Sequence, residues 1–216
     1  MADLTLVIGN KNLSSWSLRP WLMAKAAGIP FREVLVRLDV RDTRENILRH
    51  SPSGLVPALK DGDLVVNDSL AIIEYLNELH PAKGIWPEDS HARALARAMA
   101  AEMHAGFSQL RGTWPMDVIH EHKGLTCPPG VARDLGRIET LWSGARRSHG
   151  RGGPFLFGTF CAADAMFAPV VSRIRTYGPV RAFEKHTDYM EAVWDHPAMK
   201  EWREGAKEEE AQGWYA

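Results

Sequence analysis

Cysteine is scarce in this chain: Cys127 and Cys161 are the two thiols in 216 residues. They lie far apart and have no metal-ligand spacing, so neither a disulfide framework nor a zinc cluster is expected, and free thiols fit a reducing compartment. Long apolar runs are missing too; no stretch reaches the ~18 residues that signal a membrane-spanning helix. Charge of one sign is also lacking. Lysine and arginine number 26 against 27 aspartate and glutamate, a net charge of −1, which removes the electrostatic case for a nucleic acid or a membrane surface as partner. The first residues show no basic segment followed by an apolar core, so no secretory signal is read and a cytoplasmic location is expected. No internal repeat is visible, and the one biased segment is the charged run at 208–210.

What the chain has is apolar periodicity that changes character once. With 45% hydrophobic and 25% charged residues, it is globular and long enough for one large domain or two small ones. Eight tryptophans fall mostly in helical segments, where large rings fill cores and pockets. Residues 4–8 read as a strand, 18–27 as a helix ending at Gly28, 31–38 as a strand and 43–50 as a short charged helix. Strands at 58–60 and 64–67 flank Asp61-Gly62-Asp63, a hairpin signal. A helix over 69–79 is stopped by His80-Pro81. The order β-α-β-α-β-β-α defines an α/β unit over residues 1–81. Beyond the Pro81–Pro87 linker the pattern is helical throughout, at 90–106, 107–122 (bent near Gly112 and Pro115), 131–149, 162–177 around Pro169, 187–194 and 197–210. That makes an all-α unit over 88–216.

Chemistry concentrates at three places. In Asn12-Leu13-Ser14-Ser15-Trp16-Ser17, three serines crowd the point where the first strand becomes the first helix. Unpaired N–H groups and the positive end of the helix dipole meet there, a natural place to hold an anion. If the anion is a thiolate, a serine hydroxyl can donate to it and lower its pKa. The same serines also read as caps and turn formers. With Ser17 as N-cap, Pro20 falls at the third helical position, where its missing N–H costs little. Further on, Pro57 in Ser51-Pro52-Ser53-Gly54-Leu55-Val56-Pro57 enters what should be a strand, where a missing N–H is a defect. A cis Val56–Pro57 bond would turn the Val56 backbone outward to pair with an extended peptide-like ligand, although only about 5–6% of X–Pro bonds are cis. The third place is Asp68-Ser69, another strand-to-helix junction. It reads as an N-cap, or as a receptor in which Asp68 holds an α-ammonium while the Ser69 hydroxyl and helix N–H groups hold an α-carboxylate.

These elements, in this order and spacing, resemble those of the cytosolic glutathione transferases over essentially the full chain. The resemblance implies a thioredoxin-like βαβαββα domain followed by an all-helical domain that lines the electrophile site. Within the family, Ser14-Ser15-Trp16-Ser17 is most similar to the zeta class, related to maleylacetoacetate isomerase, whose loop reads Ser-Ser-Cys. By resemblance, Ser14 hydrogen-bonds the glutathione sulfur, with Ser15 as a neighbouring substitute. Val56 pairs through its backbone with the cysteinyl part, with Pro57 cis, and Asp68 and Ser69 hold the γ-glutamyl end. The glycine carboxylate is expected toward residues 41–44. A homodimer is implied, with glutathione as co-substrate, a small electrophile as second substrate and no metal. Trp16 departs from the zeta cysteine, and Cys161 stands in Cys161-Ala162-Ala163-Asp164 where the family has a capping hydroxyl.

The implied mechanism is energetically sufficient. Lowering a thiol pKa by two units takes about 2.7 kcal/mol; one charge-assisted hydrogen bond offers about 1.5–3 kcal/mol and a helix N-terminus about 0.3–1 kcal/mol. His104, Phe107, Arg111 and Trp114 fall near one helix face at spacings of three and four and are expected either to line the electrophile site or to pack in the core, Arg111 facing an acidic substrate in the first case. His120 and His122 flank Glu121 without a third ligand, so no metal site is read there. Conjugation, glutathione-dependent cis-trans isomerisation, a peroxidase forming a mixed disulfide (which the loop serines disfavour) and a non-catalytic interaction module of the same fold remain the functional alternatives.

Overall fold

The computed structural model describes residues 4–215. Four strands, β1 (Thr5–Gly9), β2 (Arg32–Val36), β3 (Ala58–Asp61) and β4 (Leu64–Asn67), form one sheet in the order β2-β1-β3-β4. The crossover helix α1 (Ser15–Ala26) returns β2 parallel to β1, while β3 and β4 pair antiparallel. Successive strand side chains leave opposite faces, and both faces of β1 are covered. Leu6 and Ile8 join Leu18, Leu22 and Leu59 in the main core, together with Ile72 and Leu76 of α3 (Ser69–Leu79). Val7 points the other way into a smaller cluster with Val36, Ala58 and Ile47 of α2 (Thr43–Leu48).

After a 3-10 turn at Pro81–Lys83 come α4 (Ser90–Ala105), α5 (Ser108–Thr113), α6 (Pro129–His149), α7 (Ala162–Tyr177), α8 (Thr187–Trp194) and α9 (Pro197–Ala211), with a second 3-10 turn at Arg181–His186. The architecture is a thioredoxin-like α/β part followed by a helical part. The main core runs through both without a break, from Leu6 to Trp142 and Trp202. Helix α7, rich in Ala, Val, Met and Phe, is buried on nearly every face and packs against α1. None of the described helices is long and apolar enough to cross a membrane.

Three local readings change. The N-cap of α1 is Ser14, not Ser17, and Pro20 lies inside the helix. Ser17 is drawn into the first turn because its buried hydroxyl accepts the Gly9 N–H at 3.0 Å. The helix expected over 107–122 shrinks to α5: Phe107 adopts a left-handed backbone with φ +56°, and Asp134 of α6 accepts the Leu110 N–H at 2.9 Å, fixing a new helix start. At the head of α7, a capping box closes with a thiol in the hydroxyl's place: the Cys161 side chain accepts the Asp164 N–H, and the Asp164 carboxylate accepts Cys161 N–H at 2.9 Å and Leu156 N–H at 3.1 Å. Burial pushes Asp164 up to about 6.

Candidate active site

The loop from β1 to α1 is held at almost every residue. Asn10 O accepts the N–H groups of Leu13 (3.2 Å) and Ser14 (2.8 Å), and its side chain accepts Leu38 N–H at 2.6 Å. Asn12 Oδ1 accepts Val118 N–H (2.7 Å) and Ile119 N–H (3.2 Å) from the helical part. At its end, Ser14 Oγ donates to Ser17 Oγ at 2.8 Å and accepts Ser17 N–H at a loose 3.4 Å. Ser14 and Ser15 are both buried at 7% exposure. The Ser15 hydroxyl makes no hydrogen bond among the described residues.

Beside this helix start lies a cavity of about 380 Å³ whose wall includes Trp16, Val56, Pro57, Asp68, Ser69 and His104. The Val56–Pro57 bond is cis. Asp68 has φ +82°; its Oδ1 caps α3 by accepting Leu70 N–H (2.9 Å) and Ala71 N–H (3.2 Å), while Oδ2 meets His104 Nε2 at 3.0 Å. The Ser69 hydroxyl is buried on this wall, at 1% residue exposure, without a partner among the described residues. Val56, Pro57, Asp68 and Ser69 thus share one cavity. Ser14 and Ser15 stand at the adjoining helix start without lining it, and Trp16 forms the wall there. Arg41 and Arg44 do not line it either; the Arg44 guanidinium packs beside Gly54.

Trp16 collects cations. Arg19 Cζ lies 4.1 Å and Arg111 Cζ 5.0 Å from its ring centroid, and the His104 ring meets it edge-on at 5.2 Å. Arg19 is fully buried; its Nε donates to Met166 O at 3.2 Å and both Nη atoms lack partners among the described residues. Arg173 is buried nearby, donating to Trp114 O at 2.7 Å and Pro169 O at 3.1 Å. Burial, reinforced by the charges of Arg173 and Arg111, pulls Arg19 down to about 9; burial chiefly, with Arg111 adding to it, brings Arg173 to about 10. Of the four residues expected on one face, His104 and Arg111 reach this place. Phe107 and Trp114 turn into the core, Trp114 stacking on Tyr177 at 5.1 Å. The sequence reading missed Ser17 as the partner of Ser14, and missed Arg19; the signal for the latter was a lone charge in the apolar run Leu18-Arg19-Pro20-Trp21.

Across the loop from this cavity is a second, of about 620 Å³, bordered by Asn12, Leu13, Arg37, Asp117 and the tail residues Trp214 and Tyr215. His120 and His122 turn to Asp117 there at 2.9 and 3.1 Å.

The thioredoxin-like sheet, the serine-capped first helix, the cis Val-Pro and the acidic-Ser junction, backed by a helical half, are the features on which the chain resembles the glutathione transferases. Residues 13–79 match the family model "Glutathione S-transferase, N-terminal domain". Glutathione S-transferase Z1 of Arabidopsis thaliana is 56% identical over 45 residues, covering 21% of this chain and 20% of that protein. A probable maleylacetoacetate isomerase of Vibrio cholerae is 50% identical over 84 residues, 39% of this chain and 36% of its own length. The chain therefore spans well under two thirds of these curated relatives. A glutathione transferase homolog from Burkholderia gl BGR1, solved with bound glutathione, shares the fold with TM-score 0.69 at 24% identity over 95% of this chain and 98% of its own. Residues 13–79 are thus similar to the N-terminal domain of the glutathione transferases, with a zeta-like resemblance, and the whole chain shares the fold of the solved homolog.

Proposed function

We propose that the chain is a glutathione transferase that keeps the glutathione thiol ionised at the start of α1 and directs it at a small electrophile. Residues 1–81 form the glutathione-binding unit and 88–216 the electrophile side, in a cytoplasmic homodimer. The observation that carries the reading is the Ser69 hydroxyl. A buried, unpartnered hydroxyl on a cavity wall at a helix N-terminus is a costly arrangement unless a ligand carboxylate completes it. Beside it, Asp68 offers charge to an ammonium, and the outward Val56 backbone, with no hydrogen bond among the described residues, offers a peptide ladder.

Ser14 acts as a donor, not as a nucleophile. Its proton now goes to Ser17 Oγ. Hydroxyls rotate to suit their partners, so a thiolate would draw that proton while the Ser17 hydroxyl, fed by Gly9 N–H, turns to donate to Ser14 Oγ. Aligned hydroxyls polarise one another and strengthen the last bond. The thiol proton leaves to solvent. With an aryl halide, the carbon–sulfur bond forms as halide departs; with an activated alkene, the thiolate adds and water returns the proton. The positive field of Arg19, Arg111 and Arg173, which make no ion pair with a carboxylate among the described residues, favours an electrophile that carries negative charge.

A second reading is glutathione-dependent isomerisation, favoured by the likeness to a probable maleylacetoacetate isomerase, in which the thiolate adds and is expelled again. The deciding experiment is titration of the bound glutathione thiol by its thiolate absorbance, with turnover of an aryl halide, a carboxylate-bearing halide and maleylacetone. The expected thiol pKa is about two units below that of free glutathione. Ser14→Ala should return it most of the way and lower kcat by about 100-fold, with KM for glutathione changed by less than about threefold. An unshifted bound thiol, or binding without turnover of any of the three, overturns the enzymatic reading in favour of an interaction module.

A further inference from the structure

Buried carboxylates are ordinarily paired with a cation, and Glu209 on α9 has no ion pair among the described residues. It is 3% exposed, and the nearest ammonium, that of Lys11, goes instead to Glu33 of β2. The backbone N–H of Lys11 is accepted by Glu209 Oε2 at 2.9 Å and Oε1 at 3.1 Å, and Oε2 also accepts the hydroxyl of Tyr215. Tyr215 Oη in turn accepts Asn12 N–H at 3.3 Å, and Trp202 of α9 donates to Lys11 O at 2.7 Å. Consecutive peptides of the loop that ends in Ser14 are therefore gripped from α9 and the tail. The tail is itself tied down, since Arg37 donates to Gly213 O at 3.2 Å and Trp214 O at 3.3 Å.

We infer that Glu209 is a positioning residue for thiol activation: its carboxylate, acting with Tyr215, holds the Lys11–Asn12 backbone so that the Ser14 hydroxyl meets the glutathione sulfur. This inference rests on the proposed role of Ser14. The grip needs the ionised form. Two donors, the Lys11 N–H and the Tyr215 hydroxyl, converge on the carboxylate in three contacts, and a protonated carboxyl turns one acceptor into a donor, leaving the Tyr215 hydroxyl or the Lys11 N–H without its full complement. The charged and titratable groups around it are Lys11 on the loop, Glu33 on β2 and Tyr215 on the tail. Burial first, and then the charge of Glu33, raise Glu209 to about 7, against the opposing pull of the Lys11 and Asn12 N–H groups and the Lys11 ammonium. The grip then tightens as pH rises through neutrality, in the range where a thiol lowered by Ser14 also ionises.

The test compares wild type, Glu209→Gln and Tyr215→Phe in the full chain by three measurements: thiolate absorbance of bound glutathione against pH, the pH dependence of kcat with an aryl halide, and thermal melting. The wild type should lose activity on acidification through two ionisations, Glu209→Gln through one. Glu209→Gln should lower kcat by about tenfold with KM for glutathione changed by less than about twofold; Tyr215→Phe should move kcat the same way by less, with melting near that of wild type. If Glu209→Gln keeps both acid ionisations and the wild-type kcat, or if KM rises as kcat falls, the positioning role is wrong. A wild type that binds glutathione without a thiolate signal sinks the Ser14 reading itself, and this role with it. A normal thiolate in wild type with an unchanged variant profile sinks this role alone.

Discussion

Two strand-to-helix junctions flank one cavity, the second lining it and the first adjoining it, and they are built oppositely. At β1–α1 the capping residue Ser14 is buried and its contact with the Ser17 N–H is long, at 3.4 Å. At β4–α3 the capping residue Asp68 is half exposed, holds two helix N–H groups at 2.9 and 3.2 Å, and adopts a left-handed backbone to do so. A loosely engaged hydroxyl can be redirected to a ligand at little cost, whereas a carboxylate already committed to its own helix works as a fixed charge. The first junction suits chemistry and the second suits recognition. The local sequence supplies the cap in both cases; from the helical half the first loop is held through its backbone by Glu209 and the second by a single side-chain pair with His104.

Substitutions at the two junctions should separate these roles. Asp68→Ala is expected to have the larger effect: glutathione Kd should rise about 30- to 100-fold, some 2–2.7 kcal/mol, with kcat at saturation nearly unchanged. Loss of the cap, about 1 kcal/mol, should lower Tm by roughly 2–4 °C. Calorimetry and thermal melting check both, and Asp68→Asn, which keeps an acceptor for the helix, should recover the Tm but not the affinity. Ser17→Ala should do the reverse, lowering kcat by about tenfold at constant KM by removing the hydroxyl behind Ser14. If Kd rather than kcat moves, the two junctions do not divide the work. The smallest change is expected for His104→Ala. Its pair with Asp68 is partly exposed and worth about 0.2–1 kcal/mol, so glutathione KM should rise about two- to fivefold in steady-state kinetics; no change would mean that Asp68 needs no orientation from α4.

The β4 strand and α3 were legible to the residue because their signals are local: the Asp61-Gly62 turn, and the Asp68 cap followed by an apolar period. The start of α1 was misread because the decision is made at a distance, by the bond from Gly9 N–H to Ser17 Oγ, which draws Ser17 inward and leaves Pro20 within the helix. The break at Gly106–Phe107 has the same origin. The alanine-rich run favours one long helix, yet α5 begins where Asp134, from another helix, caps it. Among the site residues, the types and order of Ser14, Val56, Pro57, Asp68 and Ser69 could be read along the chain. The environments of Arg19 and Glu209 could not, since whether a charge in an amphipathic helix is solvated or buried is settled by what packs over it.

The bond between Glu209 and the Lys11 peptide spans 198 positions. During synthesis the serine loop emerges early, but the carboxylate that braces it and the tyrosine behind it leave the ribosome only with α9 and the residues just after it. Ligand capture at the β4–α3 junction needs no such wait. Under the proposed function, a chain cut ahead of Glu209 would gain an affinity for glutathione without the ability to use it, and a bulky group placed at Tyr215 would register as a slow enzyme rather than as an unfolded one.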